Sequence, residues 1–91
     1  MTDDRIAALC DALAATEERP LDRSANRWLG EAQAVAEDLR GGVPDDATLV
    51  NRLETVDHLL AQVDSTGDGE ADAALDRATA IVTGLLSDLN A

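Results

Sequence analysis

The chain has no Lys, no Phe and no Tyr, and only one each of Cys, His, Met and Trp. Each scarcity excludes something. With Cys10 alone there is no intramolecular disulfide, which fits a reducing compartment. With His58 alone there is no imidazole set for a structural or catalytic metal. No run of 18 apolar residues occurs, so no segment reads as a membrane-spanning helix. Seven Arg stand against 19 Asp and Glu, a net charge of −12 on 91 residues, so the basic footprint that nucleic-acid binding requires is missing and no nucleic-acid partner is expected. The chain opens Met1-Thr2-Asp3-Asp4, acidic where a secretory signal is basic, and the expected location is the cytoplasm.

What the sequence does contain is helical periodicity in four stretches. The first, residues 3–18, places Ile6, Leu9, Cys10 and Leu13 on one face, with Thr2 as expected N-cap and Asp3 and Asp4 near the positive end of the helix dipole. Pro20 ends it and is expected to open the second, residues 21–40, whose seam runs Leu21, Ala25, Trp28, Ala32, Val35 and Leu39. Gly41-Gly42 suits the left-handed exit of that helix. The third stretch, residues 45–63, carries Leu49, Leu53, Val56, Leu60 and Val63, and the fourth, residues 70–89, carries Ala71, Leu75, Ala78, Val82, Leu85 and Leu89. No segment alternates with period two, so no strand is expected. Short connections make consecutive helices antiparallel, and the pattern predicts an all-α, up-down-up-down four-helix bundle as one domain over residues 1–91. Two helical hairpins exchanged across a dimer satisfy the same pattern. The seams hold Leu, Val and Ala rather than large aromatics, so the core is thin and stability is expected to lean on salt or a partner.

The most specific motif is Asp64-Ser65-Thr66-Gly67-Asp68-Gly69-Glu70-Ala71-Asp72. Its order resembles an EF-hand calcium loop, with Asp64, Thr66, Asp68, Glu70 and Asp72 at ligand positions. The twelfth position, where a bidentate Glu closes such a site, is Leu75. The competing reading is a polar turn in which Asp68 or Gly69 caps a helix. Arg19, Arg23 and Arg27 form a stripe, for which local neutralisation by Glu17, Glu18, Asp22 and Glu31 is expected, Arg27 pairing with Glu31. Trp28 is assigned to the core by its seam position. His58 and Glu54 make two ligands at most, and Cys10 has no His or cationic neighbour to activate it. No nucleophile–base set and no phosphate loop is present, so neither an enzyme nor a cofactor is expected.

Some apolar residues fall outside the seams. Leu29, Val50 and Ile81 are such positions, and Gly30 sits on the outward side of its helix, where it costs about 1 kcal/mol relative to Ala. These four residues are the expected contact surface for a protein partner or for a second copy of the chain. The expected function is thus non-catalytic protein–protein contact or self-association, with weak calcium binding by the Asp64–Asp72 loop as the alternative.

The acid excess and the missing Lys together resemble the cytosolic proteins of salt-accumulating halophiles, above all haloarchaea, because concentrated salt shortens the screening length to a few Å. A high-GC genome replaces Lys with Arg but does not generate the acid excess. The segments Glu18-Arg19-Pro20, Ser24 through Ala32, Ser65-Thr66-Gly67-Asp68 and Glu70-Ala71-Asp72 resemble a family of small haloarchaeal proteins of unknown function. The resemblance implies an acidic helical protein and brings no activity with it.

Overall fold

The computed structural model describes residues 2–90, with side chains from Asp4 onward. Four helices follow in order: α1 (Thr2–Glu17), α2 (Arg23–Arg40), α3 (Asp46–Ala61) and α4 (Gly69–Leu89). Among the described residues there is no strand. Each helix packs on two others, α1 on α2 and α4, and α3 on α2 and α4, which gives a square four-helix bundle. The four helices of the one chain close on each other. The helix seen at Thr2 begins at the residue expected to cap it; the side chains of Thr2 and Asp3 lie outside the described residues.

Leu9, Leu13, Leu29, Leu53, Leu85, Val56 and Val82 are the largest fully buried apolar side chains. Around them Ala12, Ala25, Ala32, Ala36, Ala71, Ala74 and Ala78 are buried as well. Short alanine side chains let helix backbones approach, and this decides the rotation of α2. Its buried face is Ala25, Leu29, Ala32, Ala36 and Leu39, not the expected seam through Trp28 and Val35. The two alternatives share Ala25, Ala32 and Leu39 and differ by one residue in between. Close contact with α1 selects the smaller set, and the Cys10 thiol lies 3.4 Å from the Ala36 carbonyl oxygen. Trp28 and Val35 are rotated to the flank, both half-buried.

The helix ends follow from local hydrogen bonding. Asp45 caps α3 by accepting from the Thr48 N–H at 2.7 Å, and Asp68 caps α4 by accepting from the Ala71 N–H at 3.0 Å. At the end of α2, Gly42 has φ +98°, the left-handed exit expected of the Gly pair. Helix α2 starts at Arg23, two residues later than expected. The Asp22 N–H donates to the Thr66 carbonyl at 2.9 Å, which holds Asp22 extended and keeps Pro20 out of the helix. Helix α3 stops at Ala61, and Val63 packs on the core from the following turn.

Two substitutions test this packing by chemical denaturation in molar KCl. Leu53 is fully buried, so Leu53→Ala is expected to cost about 2–5 kcal/mol. A Cβ added at Gly30 meets nothing within 4 Å, so Gly30→Ala is expected to stabilise the fold by about 1 kcal/mol.

Candidate functional site

Two regions hold the residues singled out by the sequence. The first is the turn between α3 and α4. Thr66 is fully buried there, and its N–H and hydroxyl both donate to Asp72 Oδ1 at 2.8 Å. The same hydroxyl accepts from the Asp68 N–H at 3.1 Å. Asp68 receives the Arg19 guanidinium in a fork, Nε to Oδ2 at 2.9 Å and Nη2 to Oδ1 at 3.0 Å, and Glu70 lies 3.3 Å from the same guanidinium. Gly67 has φ +83°, and a Cβ there would come within 2.9 Å of the Asp22 carboxylate, so only glycine fits where the turn meets the α1–α2 connection.

The expected ligand set is thereby accounted for residue by residue. Asp68 and Asp72 are engaged by protein donors, the Thr66 hydroxyl is inside the network, Glu70 faces Arg19, and Asp64 is exposed. Leu75 is buried in the core. Among the described residues no three acidic, His or Cys side chains converge as a metal would require. The guanidinium of Arg19 holds the carboxylates together from outside the turn. It is a clasp between the α1–α2 connection and the start of α4.

The electrostatics agree. The Arg19 guanidinium, then the Ala71 N–H, holds the Asp68 carboxyl below the usual carboxylate range. The Thr66 N–H, then its hydroxyl, does the same for Asp72. Arg19 is in turn pushed up by its bonds to Asp68.

The second region is the exposed side of α2. Arg19 leaves the expected basic stripe for Asp68, and Arg23 and Arg27 form no ion pair among the described residues. The expected Arg27–Glu31 pair is not formed; the Arg27 guanidinium lies over the Trp28 ring, 5.1 Å from its centroid. Arg23, Ser24, Arg27 and Trp28 line an open surface depression. Of the four residues expected to form a contact surface, Leu29 is the clear correction. It is buried, because the rotation of α2 that expels Trp28 brings Leu29 in. Gly30 is exposed on α2, Val50 is half-buried on α3, and Ile81 packs beside α1 at the edge of α4, so the four do not share one surface.

The remaining reactive side chains join no cluster of ligating groups among the described residues. Cys10 is buried, and burial, then the charge of Glu37, pushes its thiol up, away from the reactive thiolate. His58 is exposed, as is Glu54.

A family model for a domain of unknown function (DUF8152) matches residues 5–91. The chain belongs to that family. Comparison with curated proteins returned no match, and neither did comparison with solved structures. The DUF8152 match takes in the clasp and the whole of α2.

Thr66→Val removes a buried hydroxyl and leaves the Asp68 N–H without its acceptor, so it is expected to destabilise by about 1–3 kcal/mol in chemical denaturation. Acid provides a second test. Carboxyls held low in the folded state contribute fully above the ordinary carboxylate range, and that contribution is lost as pH falls below about 4 toward their folded values. In molar KCl, which screens the general repulsion, the melting temperature is expected to fall across that window, and less steeply in Asp68→Asn. An equal fall in both proteins would detach Asp68 from the acid transition.

Proposed function

We propose that this chain is a non-catalytic bundle that acts by protein–protein contact in the cytoplasm of a salt-accumulating archaeon. The observation that carries the reading is the exposed side of α2. The sole aromatic of the chain stands half out of the core, beside two guanidiniums that have no ion partner among the described residues. Trp and Arg are the residue types that dominate binding energy at protein interfaces, since each combines a large flat surface with a polar edge. A net charge of −12 over the whole chain favours a hydrated, mutually repulsive surface. The archaeal, high-salt setting rests on the same charge and on the absence of Lys.

Affinity isolation of the tagged chain from its own cells in molar KCl tests the reading. Recovery of a near-stoichiometric protein, either an untagged copy or another chain, is expected, and Trp28→Ala is expected to reduce it severalfold with the helical circular dichroism unchanged. Recovery of nothing, or recovery indifferent to Trp28→Ala, counts against it. The calcium alternative has its own test. Millimolar calcium at matched ionic strength is expected to leave the melting temperature unchanged, because Asp68 and Asp72 already have protein donors. A rise that Asp64→Asn abolishes would favour the loop as a cation site.

A further inference from the structure

Beyond contact in general, the outward face of α2 has an order along its length. Arg23, Arg27, Gly30, Glu31, Ala34 and Asp38 are exposed, opposite the buried Ala25, Leu29, Ala32, Ala36 and Leu39. The cations occupy the first half of the face and the carboxylates Glu31 and Asp38 the second. The positions are also symmetric about the point between Gly30 and Glu31: residue 23 mirrors 38, 27 mirrors 34, and 30 mirrors 31. An antiparallel copy of the same helix therefore sets Arg23 against Asp38 at each end of the face, with Arg27 against Ala34 and Gly30 against Glu31 between them.

We propose that this face binds a second copy of the chain through antiparallel α2 helices, with Arg23 of each copy against Asp38 of the other. The inference rests on the protein-contact reading and names its partner. Three observations carry it. First, these six positions hold two Arg and two carboxylates, whereas the chain as a whole carries −12, so a second copy meets a locally balanced charge there. Second, the neighbouring Glu37 lies 3.9 Å from Arg40. Arg23 and Arg27, by contrast, have no ion partner among the described residues. Third, Gly30 and Ala34 lie near the centre of the face, and nothing in the chain comes within 4 Å of a Cβ built at Gly30, so a second backbone can approach there. A two-fold contact of this kind is self-complementary, with each ion pair formed twice.

Sedimentation equilibrium of the wild type, Arg23→Glu, Asp38→Arg and the double variant tests the proposal at one KCl concentration that keeps the chain folded. Wild type is expected to dimerise, each single variant to weaken the dimer at least tenfold, and the double variant to return to within about threefold of wild type. Unfolding does not mimic this result, because a Glu at the start of α2 and an Arg at its end both suit the helix dipole. Nor does net charge, since Arg23→Glu makes the chain more acidic and Asp38→Arg makes it less so, yet both are expected to weaken the dimer. A wild type that stays monomeric, single variants that dimerise like wild type, or a double variant that fails to recover overturns the proposal. A monomer that still recovers a different protein in affinity isolation overturns only this inference; a monomer that recovers nothing overturns the contact reading as well.

Discussion

A core without Phe or Tyr has to be filled by bringing helices closer together, and much of this structure follows from that constraint. Seven alanines are buried among the leucines and valines, and they are concentrated on α2 and α4. Close approach favours the rotation of α2 that turns Ala25, Ala32 and Ala36 inward with Leu29 and Leu39. Trp28 moves to the flank, Arg27 covers its ring, and the outward face of the helix acquires the sequence of charges described above. The packing of the inside thus sets which side chains the outside displays.

The connections are shaped by a different requirement, the satisfaction of polar groups where two of them meet. The α3–α4 turn is rich in oxygen, and each of its inward oxygens has a protein donor. Asp68 serves twice, as the cap of α4 and as the acceptor of Arg19, while Asp72 takes both donors of Thr66. Arg19 and Asp68 are 49 residues apart in sequence, and the Asp22–Thr66 backbone bond runs beside them. These bonds join the first connection to the third at one end of the bundle. A shared clasp fixes the relative height of α1 and α4, which apolar packing along two smooth helix faces specifies weakly, because hydrophobic contact is non-directional.

The four helices and their bundle were legible because their repeats are long and their stops are chemically distinct: Pro20, Gly41-Gly42, and the Asp64–Gly69 turn. The rotation of α2 was not. A seam of alternating threes and fours through Ala25, Ala32 and Leu39 accepts either Trp28 with Val35 or Leu29 with Ala36, and hydrophobicity favours the larger pair. What decides between them is the space left by α1, which is not a property of α2's own sequence. The same limit applied to Arg19. Its acidic neighbours Glu17, Glu18 and Asp22 offered local partners, yet the pair it forms is with Asp68, because the cap of α4 holds that carboxylate rigidly in place. The cap of α4 was legible as Asp68 or Gly69, and of these Asp68 forms it, because capping needs only local chemistry.

Nineteen carboxylates against seven Arg spread repulsion over the surface, and the Arg stand on all four helices, Arg52 and Arg77 without an ion pair among the described residues. Arg5, Arg19 and Arg40 are used inside the chain, against Asp88, Asp68 with Glu70, and Glu37. Arg23 and Arg27 stand one turn apart at the start of a helix, where the dipole disfavours cations, and no carboxylate of the described residues pairs with them. Arg27 gains the face of the Trp28 ring there, whereas Arg23 gains no ion pair among the described residues. The proposed α2 contact would give Arg23 a carboxylate partner and would be selective because its charge is locally balanced.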